Sequence, residues 1–176
     1  MHVGSVAGLE QIAGFADAFD FVEQRPSMAA AVALIAYEPV GVVAAIAPWN
    51  GPFGIMANKV ANALLSGCTV VMKPSPETPL EAYIIAKAAV AAGLPPGVIN
   101  LVFGHREASD HLICNAGVDK VSFTASTLAG KRIGSVCGAR IARCTLELGG
   151  KSAVIVRDET PARTGGNVYR GGARKC

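Results

Sequence analysis

Charge and aromatic rings are scarce in this sequence: of 176 residues, 16% are charged and 6% aromatic. A chain that is also 51% hydrophobic has apolar surface to bury and little self-repulsion, which excludes disorder along its whole length. It is long enough for one well-buried domain or for a piece of a larger one. The net charge of +3 is small, and part of it lies in the last 17 residues. No basic patch is interleaved with aromatics, so nucleic acid is not an expected partner. Cysteines at metal-ligand spacing are missing as well. The five cysteines, Cys68, Cys114, Cys137, Cys144 and Cys176, include no Cys-x-x-Cys pair, and there are only three histidines. No metal site is expected, and the thiols read as reduced in a cytoplasmic setting. No signal peptide is visible, because no basic segment leads into an apolar run at the start. The 20 uncharged residues from Pro39 to Asn58 contain three prolines, three glycines and a polar Asn50 near the middle. Those breakers exclude a spanning helix, so a soluble chain with no membrane partner is expected.

Alanine, valine and glycine dominate what remains, in an alternating rhythm. Val6, Leu9, Ala13, Ala16 and Phe19 predict an amphipathic helix over 5–22, and residues 23–36 support no assignment. A β-like run from Tyr37 through Ile46 enters the breaker Pro48-Trp49-Asn50-Gly51-Pro52. Helical pattern over Ile55–Ser66 stops at Gly67, and a short strand covers Thr69–Met72. Thr78-Pro79-Leu80-Glu81 reads as an N-cap with a capping-box glutamate, opening a helix that continues through Ala92. Strand Val98–Phe103, helix Glu107–Asn115 and strand Lys120–Phe123 follow. Ser126 or Thr127 caps a helix to about Cys137, and Arg143–Leu148 is the next strand, with Lys151–Val156 as an added pairing segment. The expected class is α/β: a Rossmann-like parallel sheet with helices on both faces. Ligands of such sheets bind outside the carboxyl ends of the strands. Asn50, Lys73, Ser126 and Glu147 all fall there. Residues 160–176 hold four glycines, four basic residues and almost no apolar period, and are expected to form a disordered or frame-shifted tail.

Glu147 stands between Leu146 and Leu148 and just before Gly149-Gly150. An acid in such a setting is expected to be partly desolvated, which raises a carboxyl pKa toward the range of a general base. A solvated acid at a strand end fits the same residues equally well. The order of motifs separates the two. Pro48-Trp49-Asn50, Lys73-Pro74-Ser75, Phe123-Thr124-Ala125-Ser126-Thr127 and Glu147-Leu148-Gly149-Gly150-Lys151-Ser152 follow one another at separations that resemble the cofactor-binding part of the aldehyde dehydrogenase superfamily, from about Val3 to Asp158.

The resemblance implies a dinucleotide-binding region over 1–159, with NAD or NADP as cofactor and an aldehyde as substrate. It implies that Asn50 donates a hydrogen bond to the oxyanion of a cysteine-bound thiohemiacetal, and that Glu147 activates the water that releases the acid. Lys73 would hold the adenosine ribose, and Ser126 with the following helix N-terminus would meet the pyrophosphate. Trp49, Gly130 and Leu148 would line the cofactor cleft. Residue chemistry alone also allows a turn role for Asn50, a solvated Lys73, an ordinary N-cap at Ser126 and core packing for Trp49.

The sequence departs from the family pattern in three places. Ala125 replaces the first glycine of a Gly-Ser-Thr turn. Pro76 takes the place of a ribose-side acid, with Glu77 beside it, which leaves NAD against NADP open. No Gly-Gln-x-Cys nucleophile motif is present, and Cys176 does not fit one. The chain therefore reads as truncated before the nucleophile and inactive by itself, and the homo-oligomer typical of the family is not carried over to it. The alternative reading is a non-catalytic dinucleotide-binding remnant or partner-binding fragment. An acylating relative is disfavoured by Glu147.

Overall fold

The computed structural model describes residues 2–29, 31–151 and 153. In chain order its elements are α1 (His2–Gly14), β1 (Val22–Arg25), β2 (Ala33–Ala36), β3 (Val42–Ile46), α2 (Pro52–Leu65), β4 (Thr69–Lys73), α3 (Leu80–Ala91), β5 (Ile99–Leu101), α4 (Arg106–Cys114), β6 (Lys120–Ala125), α5 (Thr127–Ala139) and β7 (Arg143–Leu148). Five strands form one sheet in the order β5-β4-β3-β6-β7, and every pairing in it is parallel.

The sheet is held from both sides because β3 is apolar at every position. Successive side chains of a strand point to opposite faces, so β3 feeds two cores. Val43, Ala45 and Ala47 pack with Met56, Val60 and Ala63 of α2 and with Val70 and Met72 of β4. Ala44 and Ile46 pack with Ile113 of α4, Ile133 and Cys137 of α5, and Val121 and Phe123 of β6. The α/β reading and the helix-covered faces are those of the structure. Among the described residues no helix is long and apolar enough to cross a membrane.

Two polar devices tie the amino ends of the strands. Asp119 accepts the Val42 N–H on Oδ2 at 2.8 Å, while its own N–H reaches Val42 O and its carbonyl receives the Arg143 N–H. One residue thus joins β3, β6 and β7. Arg140, just past α5, donates to the carbonyls of Asn115 and Val118, stapling that helix to the loop before β6. Its buried Nε has no partner among the described residues. Arg140→Met is expected to lower stability by about 1–2 kcal/mol, since hydrogen bonds from a charged donor are the stronger kind. Urea denaturation measures it, and an unchanged midpoint would remove the staple from the account.

Several boundaries differ from the sequence reading. The first helix ends at Gly14 rather than near residue 22. Phe19 leaves it to stack edge-on against Phe21 and Tyr37, with centroids 4.9 and 5.1 Å away. Within the unassigned stretch 23–36, the chain forms the antiparallel pair of β1 and β2, outside the main sheet. The N-cap expected at Thr78 is not made: Pro79 takes the cap position without a side-chain bond, and Thr78 Oγ1 is buried and unpartnered among the described residues. The helix starts one residue later than the capping-box spacing requires, which moves Glu81 out of register with it. The expected tail over 160–176 lies outside the described residues, as does most of Lys151–Val156.

Candidate functional site

The chain leaves β3, runs outward through β4 to β5, then returns to lay β6 on the other side of β3. This reversal makes the carboxyl ends of β3 and β6 a topological switch point, where the connections diverge and leave a crevice. Each predicted residue is carried to this edge by its own strand. β3 continues through Pro48 and Trp49 to Asn50, and Gly51 turns there at φ 68° so that Pro52 can open α2. β4 ends at Lys73, in register with Ile46. β6 ends at Ala125, Ser126 caps α5 by accepting the Ala129 N–H at 3.4 Å, and Glu147 pairs with Thr124.

Side-chain alternation sorts these groups into two sets. Lys73 follows Met72, which belongs to the α2 core, so Lys73 turns to the opposite face, the one covered by α4 and α5. Ser126 begins α5 on that same face. Glu147 follows Leu146, which packs on the α4–α5 core, so Glu147 turns to the face of α2. Asn50 leads directly into α2. The structure therefore brings Lys73 and the α5 N-terminus to one face and Glu147 to the other, with Asn50 in the turn between β3 and α2 at the same strand edge.

The same alternation corrects the reading of Glu147 as a desolvated acid. Leu146 and Leu148 flank it in sequence but point away, and Glu147 is exposed. Sequence neighbours in a strand cannot wall one another in. Trp49 is 65% exposed, which removes core packing as its role. Leu148 packs with Gly130: a Cβ at Gly130 would lie 2.5 Å from Leu148 Cδ2, so the missing side chain lets α5 approach β7. Ala125 needs no glycine backbone, since Ile141 is the only non-glycine residue with positive φ among those described.

One residue of this region escaped the sequence reading. Lys59 lies in the middle of α2, 9% exposed, and donates to Ser122 Oγ of β6 at 3.0 Å. Burial holds its pKa down to about 8, with the Glu147 charge opposing the shift and Lys120 adding to it. The available signal was a lone cation inside the apolar helix Pro52–Leu65. Lys73 is also nearly buried, and burial lowers its pKa while the charge of Glu77 pulls it back. Among the described residues its ammonium makes no hydrogen bond or ion pair, which leaves three donors for a ligand at the strand end. Glu77 accepts the Ser75 hydroxyl, which is the main reason its carboxyl is held low, with Lys73 and His105 contributing. Beside these groups opens a cavity of about 630 Å³ lined by Pro74, Ser75, Tyr83, Phe103, Gly104 and His105, within the size range of ligand pockets. Among the described residues no cluster of three His, Cys, Asp or Glu could hold a metal.

Ser126→Ala is expected to cost about 0.5 kcal/mol, the low end for an N-cap, because its bond is long. Thermal melting of the variant tests this, and a loss several times larger would point to contacts beyond the cap.

The model of the aldehyde dehydrogenase family matches residues 2–163. Geranial dehydrogenase of Castellaniella defragrans is 52% identical over 137 residues, which is 78% of this chain and 29% of that protein. Phenylacetaldehyde dehydrogenase of Pseudomonas fluorescens is 54% identical over 119 residues, covering 67% of this chain and 24% of that protein. The crystal structure of Mycobacterium tuberculosis aldehyde dehydrogenase complexed with NAD+ superposes with a TM-score of 0.86 at 40% identity, over 91% of this chain and 33% of that one. The chain thus spans about a quarter to a third of the length of these relatives.

Proposed function

This chain belongs to the aldehyde dehydrogenase family, and from that premise we propose that it is the part of an NAD(P)-dependent aldehyde-oxidising enzyme that holds the dinucleotide and acts on the bound acyl group. The observation that carries this is the division at the switch point. One face presents donors suited to a ribose and a pyrophosphate, and the other presents a carboxylate, with the Asn50 amide in the turn at the same edge. The residues present fit a dinucleotide: the Lys73 ammonium makes no hydrogen bond or ion pair among the described residues, and the first turn of α5 has backbone N–H groups without helical partners.

In this reading Lys73 donates to the ribose hydroxyls, and Ser126 with the α5 N-terminus binds the pyrophosphate. Leu148 and Gly130 set the height of α5 above β7 and so the floor of the cleft, while the exposed Trp49 forms its wall. The Asn50 amide donates to the oxyanion of the substrate bound to a cysteine, stabilising charge as it develops. Glu147 takes a proton from the water that attacks the resulting acyl group. Bound nicotinamide supplies the acceptor for the hydride lost by the aldehyde carbon. A solvent-open carboxylate suits this assignment, because its water must enter and leave.

The test is a titration of the chain with NADH, followed by the emission of Trp49, the single tryptophan. Saturable quenching is expected, and Lys73→Met should weaken it about ten-fold, equivalent to ~1.4 kcal/mol. A chain that is folded by circular dichroism but shows no saturable quenching would sink the proposal. Glu77 places a carboxylate near Lys73, and an acid there repels a 2′-phosphate. NADPH is therefore expected to bind more weakly than NADH, and Glu77→Gln to narrow the gap. Equal affinities in the parent chain would remove Glu77 from the account. A second reading is a dinucleotide-binding module without catalysis. It predicts NADH binding without turnover of any aldehyde.

A further inference from the structure

Helix α5 runs down β7 on a ladder of glycines. Gly130 faces Leu148, and a Cβ on Gly134 would lie 3.8 Å from Leu146 Cδ1. Four residues of helix advance about 6 Å and two residues of strand about 6.6 Å, so the two elements keep step along their contact. The next strand position on this face is Cys144. The next helical turn carries Cys137, which is fully buried in the α4–α5 core. Cys144 sits on the edge strand and is exposed. The two thiols are neighbours across the helix–strand contact: burial first, then Cys144, pushes the Cys137 thiol up, against the pull of Arg140.

We propose that Cys137 and Cys144 form an oxidisable thiol pair, in which exposed Cys144 meets a hydroperoxide and buried Cys137 closes a disulfide between α5 and β7. The Cys144 thiolate attacks the peroxide, so that an S–O bond forms, the O–O bond breaks and one water leaves. Cys137 then attacks the Cys144 sulfur, the S–O bond breaks, and hydroxide departs with the proton of Cys137 as the second water. Two thiols lose two electrons and two protons, and hydrogen peroxide is reduced to two waters. The order follows from access, since Cys137 offers the oxidant no route except through its partner. Exposed Cys114 is a different case. It lies beside Asp110 and Arg132, away from the α5–β7 contact. The inference rests on helix–strand packing and is independent of the reading of the dinucleotide site.

The experiment treats the intact chain with limiting hydrogen peroxide in buffer, blocks remaining thiols, and digests with trypsin. Ile133–Arg140 and Cys144–Lys151 are expected as one linked species that separates on reduction. In Cys137→Ala the accessible thiol remains and the resolving one is gone, so labelling of Cys144 by dimedone, a sulfenic-acid probe, should rise several-fold over the parent. Recovery of the two peptides unlinked, or equal dimedone labelling of Cys144 in both proteins, would overturn the proposal. A protein that ignores the fold would also show the link at the same yield in urea, whereas the proposal expects that yield to drop several-fold.

Discussion

Gly41→Ala is expected to destabilise the protein by about 3–4 kcal/mol, near the upper end for a single substitution. Two costs combine there. Gly41 has φ +111°, a conformation that side chains rarely adopt, and a Cβ would lie 2.1 Å from Asp119 Oδ2 and 2.8 Å from its Cγ. Holding an alanine in such a conformation costs about 1–3 kcal/mol. Moving Asp119 aside releases the bond to the Val42 N–H, and losing a hydrogen bond on a half-buried donor costs about 0.5–1.5 kcal/mol more. Asp119 is short and is also tied by its backbone to Val42 and Arg143, so it has little room to yield. Asp119→Ala separates the two costs, since it removes the bond and leaves the glycine backbone relaxed. Chemical denaturation of both variants and of the pair reads the coupling. If Gly41→Ala costs no more than Asp119→Ala, backbone strain contributes nothing and the argument fails.

Lys59→Met is expected to stabilise the protein at neutral pH by about 2 kcal/mol, although it removes a hydrogen bond. The ammonium is buried against α2 and β6 with one hydrogen-bond partner, and burial lowers its pKa from 10.5 to about 8. Below pH 8 both folded and unfolded chains carry the proton, and the folded state bears the cost of the buried charge. Between about pH 8 and 10.5 the unfolded chain still holds a proton that the folded chain has released. Stability from this group therefore rises with pH across that window. Cys137 and Tyr37 act in the opposite direction there. Both have raised pKa values, and a raised acid contributes stability that is lost as pH climbs. The difference between parent and variant isolates Lys59: it should be largest at pH 7 and shrink toward pH 10. A variant less stable at pH 7, or a difference that does not change with pH, would show that Ser122 and Glu147 solvate the ammonium well.

Much of this site was legible because strand ends advertise themselves locally. Pro48 and Gly51 stop one strand, Pro74 follows another, and Ser126 caps a helix. Arg143–Leu148 is a strand in both the sequence reading and the structure, because Cys144, Leu146 and Leu148 alternate with polar residues between a helix end and Gly149-Gly150. What misled was the inference from adjacency. The leucines beside Glu147 suggested a desolvated acid, and only strand alternation on a paired sheet shows that they face α5. The capping box at Thr78 has the right residue types, yet the helix begins one residue further on. The pair of β1 and β2 was illegible because its residues are mostly exposed, so no periodic burial marks them. Lys59 was passed over because its importance lies in what β6 places against it.

By itself the sequence determined the α/β class, the succession of strands and helices, and the identity of the four polar groups at the strand ends, since period, caps and breakers are local properties. Tertiary structure decided which of those groups share a face of the sheet. The register of four parallel pairings and the switch in strand order at β3 and β6 set Lys73 and the α5 N-terminus on one face, and Lys59 and Glu147 on the other, with Asn50 in the turn between β3 and α2. Those relations join residues far apart in the chain, and they are fixed by which face of each strand is buried rather than by any neighbour in sequence.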